Sequence, residues 1–431
     1  MMNDWKVEPR RRSFLQASAA LAFSAAFATG CGILDQKSST GVEGKKGGKF
    51  LLSFDALDID FYVNWEKGGR AAAEALGLTY AKSVSNYDVS VQRSAFEDAV
   101  VQGIQAVGMT SPDEGATPSL IQSLAKNNIF VANNGTNAPW NTPFDNGSHH
   151  IAYHAPDNYL AARQVAKVLF DAMGGSGKLV HIEGVRGLSH DTERTLGLDS
   201  MLKEYPGVQL VARQPGNYNR ADAQGVMENI LNAHPDVAGV FVQNDDGALG
   251  VMSALQSVGH KALVTGMDGM PEMLSKIQSG EALATWVQDP SYQAGLQAVL
   301  LFDALNGWTP RTPERMMMPG TFIIDSPKSA ELYKKILEKG SPYDWARMSR
   351  TLHPNDWDMQ NLMSPIDPNA FWERRTGEKP AGYVLPAEFQ KSKDSGEWDA
   401  VTREYAGFKI DPLAEVKAAT NYGGAFVGAG Q

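Results

Sequence analysis

A single cysteine, Cys31, stands in 431 residues. No disulfide can form within the chain, so its stability has to come from a packed core. Long apolar runs are lacking too. The stretch 17–29 holds only about 13 small and weakly apolar residues, short of the ~20 that a membrane-spanning helix needs. Positive charge is in deficit, with 39 Lys and Arg against 49 Asp and Glu and a net charge of −10. An acidic surface repels phosphate backbones and anionic lipid, which argues against nucleic acid as a partner. Catalytic motifs are sparse: neither Gly-x-x-x-x-Gly-Lys-Ser/Thr nor Gly-x-Ser-x-Gly occurs. The cluster His149, His150 and His154 would suit a metal on a helix. Ile151 and Tyr153 read as strand, however, which separates the imidazoles.

What is present begins with Arg11-Arg12-Ser13-Phe14-Leu15-Gln16, followed by the short apolar run and Ala28-Thr29-Gly30-Cys31. A twin arginine, a brief hydrophobic region and small residues before a cysteine form the pattern of an export signal with a lipid-attachment site at Cys31. Loss of residues 1–30 removes Lys6, Arg10, Arg11 and Arg12 with Asp4 and Glu8, leaving the remainder near −12. Residues 32–48, rich in Gly, Ser, Thr and Lys, read as a flexible tether. The expected location is the extracytoplasmic face of the cell membrane.

From Lys49 onward short apolar runs alternate with helical patterns. Strands are expected at 50–54, 79–84, 106–110 and 129–133, with helices at 65–76, 89–101 and 117–126. The alternation restarts with a helix at 158–173. It continues with strands at 178–183, 209–213, 239–243, 263–267 and 284–287, and helices at 192–204, 221–233, 248–258 and 270–279. A long helix at 292–305 and a strand at 321–324 close it. Two successive units of this kind imply two doubly wound α/β lobes with parallel sheets, in which ligands sit beyond the carboxyl ends of the strands.

Those ends carry polar and aromatic residues rather than turn filler. Asp60, Phe61 and Tyr62 follow the first strand, and Asn133-Asn134-Gly135 follows the fourth. Arg194 lies in the helix after Glu183-Gly184, Tyr218 after the 209–213 strand, and Asn244, Asp268 and Gln288 end the last three strands of the second unit. Asp245 or Asp246 is expected to cap the following helix while Asn244 faces the ligand. Carboxylates, amides, one guanidinium and aromatic rings suit a neutral polyhydroxylated ligand: hydroxyls donate to Asp and accept from Arg or Asn, and rings cover C–H surfaces. Trp140 and Trp286 are further aromatics for such a pocket, with burial in the core as the alternative.

At these positions the chain resembles the periplasmic ribose-binding family of ABC-transporter substrate-binding proteins. The resemblance runs from about residue 49 to 326. It is carried by His181-Ile182-Glu183-Gly184, Glu193-Arg194-Thr195-Leu196-Gly197-Leu198, Gln214-Pro215-Gly216-Asn217-Tyr218-Asn219-Arg220, Val240-Phe241-Val242-Gln243-Asn244-Asp245 and Gly266-Met267-Asp268-Gly269. It implies two lobes joined by three crossovers: 49–153 with 290–318, and 154–289 with 319–340. These would close around a monosaccharide, with Phe61 and Tyr62 stacking on it and Arg194, Asn244, Asp268 and Gln288 hydrogen-bonding to it. Tyr218 stands where the family often has phenylalanine. Ile59 replaces an Asn two residues before the first aromatic, and Asn133-Asn134-Gly135 replaces an Asp-Arg pair. These departures point away from ribose, toward another pentose, a hexose or a linear polyol.

The resemblance also implies a permease partner, no cofactor, no catalysis and a monomer; the alternative is a sensory receptor feeding a chemoreceptor or histidine kinase. Residues 341–431 exceed the family pattern and hold Trp345, Trp357, Trp372 and Trp398. Aromatics at that density argue against disorder. The segment reads as an extension wrapped over the lobes, with short helices at 387–393 and 399–405.

Overall fold

A computed structural model describes residues 47–377 and 379–422. The export signal, Cys31 and the tether as far as residue 46 lie outside the described residues. The first unit runs β1 (Lys49–Phe54), α1 (Asp60–Ala75), β2 (Thr79–Val84), α2 (Val89–Val101), β3 (Ala106–Met109), α3 (Thr117–Ala125), β4 (Phe130–Asn134) and β5 (His150–His154). The second runs α4 (Asn158–Ala172), β6 (Ser176–Glu183), α5 (Ser189–Glu204), β7 (Gly207–Pro215), α6 (Arg220–Ala233), β8 (Val237–Val242), α7 (Asp245–Ser257), β9 (Leu263–Met267), α8 (Pro271–Ser279) and β10 (Ala284–Val287). After these come α9 (Pro290–Leu305), β11 (Met316–Pro319), β12 (Phe322–Ile324) and α10 (Pro327–Lys339). The extension holds α11 (Trp345–Met348), β13 (Met363–Pro365), α12 (Pro368–Thr376), α13 (Ala387–Asp394), α14 (Glu397–Ala406) and α15 (Ala414–Ala418).

The strands form a seven-stranded sheet, β13-β11-β5-β4-β3-β1-β2, and a six-stranded sheet, β12-β10-β9-β8-β6-β7. Pairing is parallel except at one edge of each, where β13 runs antiparallel to β11 and β12 antiparallel to β10. Central strands such as β3 and β8 are apolar on both faces because helices cover both sides. Helix starts follow local chemistry: Asp88 caps α2 through Ser90 and Val91 N–H, Asn219 caps α6, and Asp289 caps α9 ahead of Pro290.

Three findings differ from the sequence expectations. Helix α1 begins at Asp60, so Asp60, Phe61 and Tyr62 occupy its first turn rather than a loop; Tyr62 and Trp65 are buried, and that packing overrides their weak helix propensity. Residues 316–319 form a strand, β11, that the 10–15-residue alternation does not reveal, because it leads into a crossover to the other lobe; β5 agrees with the strand read at Ile151 and Tyr153. The extension does more than wrap. It adds β13 to the first sheet and lays α15 against α10 and β12 of the second lobe.

Helices α1 and α9 pack against each other, and Gly68 makes their close approach possible. A Cβ at Gly68 would lie 2.2 Å from the Ser291 carbonyl oxygen and 2.4 Å from its Cα. Since both obstacles are backbone, Gly68→Ala should destabilise the protein by about 1–3 kcal/mol through overpacking. Urea unfolding would show this as a lower midpoint, and an unchanged midpoint would refute so tight a contact.

Candidate functional site

The tips of the first sheet converge on Asp55, just past β1 and almost fully buried. Its carboxylate accepts from Tyr62 Oη (2.9 Å), Ser85 Oγ (2.8 Å) and Thr110 Oγ1 (2.8 Å), one donor each from α1, the end of β2 and the end of β3. Burial raises its pKa, and the three hydrogen bonds partly offset that. Beside it Phe61 meets Tyr62 edge-on at 5.1 Å, and Trp65 lies 6.0 Å from Phe61. At the tip of β4 the alternation of a strand divides two asparagines. Asn133 accepts from His150 Nε2 at 2.7 Å through Oδ1, and the buried Nδ2 atoms of both Asn133 and Asn134 have no partner among the described residues.

The second lobe supplies the charge. Arg194, on α5, is 2% exposed. Its Nε donates to Asn158 Oδ1 at 3.1 Å, Nη1 donates to the Gln243 carbonyl, and Nη2 lies 4.0 Å from Asp268 Oδ1. The guanidinium also sits 5.3 Å above the Trp286 ring. Asp268 follows β9 with φ of +123°, its N–H held by the Trp286 carbonyl at 2.6 Å. Gln288 Nε2 donates to Asp268 Oδ1 at 2.9 Å. Burial pushes the Asp268 carboxyl up to about 6, against the pull of Arg194 and Gln288.

Tyr218 stands in a tight turn with φ of +55° and stacks on His190 at 5.3 Å and 29°. Glycine at 184 is required there, because a Cβ would come within 1.9 Å of the Tyr218 ring. The Tyr218 hydroxyl donates to Gln243 Oε1 at 3.3 Å. The lobes meet at this level: Asn137 N–H donates to Ser189 Oγ at 3.2 Å.

One cavity of about 70 Å³ lies between the lobes, roughly the room of five water molecules at ~10–15 Å³ each. Phe61, Tyr62, Asn134, Arg194, Tyr218, Asn244, Asp268 and Gln288 all line it. Asp60 does not. Successive helical residues point about 100° apart, so Asp60, Phe61 and Tyr62 cannot all face one space, and Asp60 is exposed. The capping expectation also changes. Asn244 is itself the N-cap of α7, accepting from Gly247 N–H at 3.0 Å, and its Nδ2 donates to the Tyr218 carbonyl at 3.1 Å. Asp245 is buried beneath it and accepts from Met270 N–H and Thr285 Oγ1, both at 2.7 Å. Neither of the indoles Trp140 and Trp286 lines the cavity: Trp140 packs against Trp372 of the extension, and Trp286 lies in the second-lobe core under Arg194.

The walls also include Asp55, Trp65, Tyr87, Thr110, Asn158 and His190, which sequence reasoning missed. Asp55 had a usable signal, an aspartate directly after an apolar strand. Tyr87 and Asn158 had none, since only the closure of the lobes brings them to the same space. Trp65 adds another unpaired buried donor, its Nε1–H.

A model of the periplasmic binding protein domain family matches residues 50–308. The chain belongs to that family. The ribose import binding protein of Bacillus subtilis is 30% identical over 256 residues, covering 59% of this chain and 81% of that protein. A xylitol-binding protein of Mycolicibacterium smegmatis is 26% identical over 262 residues, 60% of this chain and 73% of that one. Among solved structures, a twin-arginine translocation pathway signal protein from Burkholderia phytofirmans superposes with a TM-score of 0.66 at 23% identity, covering 72% of this chain and 97% of that one. The fold is that of the type I periplasmic binding proteins.

Asp268 yields a prediction with a definite sign. Its carboxyl titrates near 6 when folded against 3.8 ordinarily, so the folded state binds more protons in that window and loses stability as pH rises through it. Asp268→Asn removes the charge and should be more stable than the parent at pH 7, by up to about 3 kcal/mol at 1.36 kcal/mol per unit. The difference should vanish below about pH 4. Urea unfolding at pH 4 and pH 7 checks both ends, and a gap that is equal at the two would contradict the assignment.

Proposed function

We propose that this protein captures a monosaccharide or linear polyol between its two lobes outside the cytoplasmic membrane and delivers it to an ABC importer. The observation that carries the reading is the polar inventory of the cavity. Asp268 offers an acceptor beside the Arg194 donors, and Asn134 Nδ2 and Trp65 Nε1–H stand buried and unpaired on the opposite lobe. A buried donor without a partner is costly, and a ligand oxygen would relieve that cost. The rings of Phe61, Tyr62, Trp65 and Tyr218 supply faces for C–H surfaces. A site built on hydroxyl recognition rejects analogues that lack the hydroxyls.

The ribose- and xylitol-binding relatives support this ligand class. Ile59 on the cavity wall and Asn134, not a charged pair, at the tip of β4 favour a ligand other than ribose. Nothing favours the sensory alternative. The ribose import binding protein and the xylitol-binding protein are binding proteins, which supports capture without chemistry on the ligand. No helix among the described residues is long and apolar enough to cross a membrane. Export through the twin-arginine pattern, a lipid at Cys31 and a monomeric state complete the proposal. The acidic balance of the chain fits a role without nucleic acid.

A thermal-shift screen tests it. Ligand that binds only the native state stabilises by about 2.7 kcal/mol at a hundred times its Kd. At least one pentose, hexose or linear polyol should raise the melting temperature by several degrees, while amino acids and purines leave it unchanged. A shift confined to amino acids or purines, or none with any compound, would overturn the reading.

A further inference from the structure

The family match stops at residue 308, and the extension beyond the second lobe lies outside it. Among the described residues the chain passes between the lobes five times: β5 to α4, β10 to α9, β11 to β12, α10 to α11, and α14 to α15. The last two passes belong to the extension, and α12 lies between them in sequence.

Helix α12 is seated firmly. Trp372 is fully buried 5.9 Å from Trp140 of the first lobe, and Trp140 Nε1–H donates to Thr376 Oγ1 at 3.2 Å. Two arginines at its end reach residues that stand behind the cavity. Arg374 Nη1 donates to Asp157 Oδ2 at 2.9 Å, on the first crossover, and its guanidinium lies over the Tyr159 ring at 5.1 Å. The Arg375 side chain, 4% exposed, pairs with Glu114 in the first-lobe loop after β3 and lies 3.9 Å from Glu193 on α5 of the second lobe. From Glu193 the contacts run straight into the cavity. Asn158 Nδ2 donates to Glu193 Oε2 at 3.3 Å, Asn158 Oδ1 accepts from Arg194, and Arg194 faces Asp268.

We propose that Arg375 is a positioning residue of the ligand site: by spanning Glu114 on one lobe and Glu193 on the other, it latches the lobes together and fixes the Asn158–Arg194–Asp268 cluster in its gripping arrangement. Any separation of the lobes draws Glu114 and Glu193 apart, so Arg375 holds both only in the closed form. A contact made in one of two states shifts the equilibrium toward that state by its differential free energy. Burial, with the charge of Asp157 behind it, raises the Glu193 carboxyl to about 8. The ionic partner of Arg375 at neutral pH is therefore Glu114, and Glu193 stands 3.9 Å away as a largely protonated neighbour. The latch takes the cavity to be the ligand site proposed above, but its test needs no ligand, so the two readings fail separately.

Small-angle X-ray scattering of the ligand-free protein reads the lobe arrangement, and hydrogen exchange of residues 189–198 reads the site. The parent protein should fit the lobe-touching arrangement. Arg375→Met and Glu114→Gln should each increase the radius of gyration and speed exchange in 189–198 at least about ten-fold. Lys393→Met, which breaks an extension ion pair with Asp367 away from the cleft, serves as the control and should change neither. Glu114 is on a loop of the first lobe and has no place in the extension's core, so Glu114→Gln decides the matter if Arg375→Met fails to fold. An anchor with only a structural role would loosen α12 and leave residues 189–198 unmoved. The proposal is overturned if both variants keep the parent's scattering and exchange, if they change no more than Lys393→Met, or if the parent itself scatters as separated lobes.

Discussion

A guanidinium buried to 2% exposure sets the terms for the rest of this molecule. A charge removed from water has to be met by acceptors on several sides at once. Arg194 obtains them from three segments far apart in sequence: Asn158 at the start of α4, the carbonyl of Gln243 at the end of β8, and Asp268 at the end of β9. Strand tips of a parallel sheet converge on one side, which brings Gln243 and Asp268 together, and the start of α4 brings Asn158 to the same point. The same geometry keeps Asp268 partly protonatable and holds its backbone at a positive φ, a strained arrangement of the kind found where a ligand is gripped.

The two lobes divide the work. The first presents rings and neutral donors, with its one carboxylate, Asp55, already committed to Tyr62, Ser85 and Thr110. The second presents the charge. A ligand with hydroxyls around a C–H framework engages both only when the lobes meet, so binding and closure are the same event seen from two sides. The extension joins this arrangement through α12, whose Arg374 and Arg375 stand behind the crossover and α5. An appended segment thereby touches both lobes behind the cavity instead of only covering them.

Much of the architecture was legible because a buried parallel strand and an amphipathic helix have different periods. Residues 79–84, 89–101, 263–267 and 284–287 were read with the bounds the structure shows. The first turn of α1 was not, since Asp-Phe-Tyr has little helical preference and only the burial of Tyr62 and Trp65 makes it helical. The site was legible to the extent that strand ends are. Arg194, Asn244, Asp268 and Gln288 follow apolar strands or open helices after them, while Asn158, Tyr87 and His190 come from helix starts and loops that no local pattern distinguishes.

Periodicity, composition and turn chemistry are local properties. They suffice to specify two doubly wound lobes, the strand tips that carry polar residues, and an acidic chain with a single cysteine. That Asp60 faces away from the cavity, that Asn244 caps α7 while lining the wall, and that Arg375 stands between Glu114 and Glu193 emerge only once the chain has folded. These depend on which side chains meet across long stretches of sequence. That meeting is set by helix rotation and lobe contact, which no window along the chain contains.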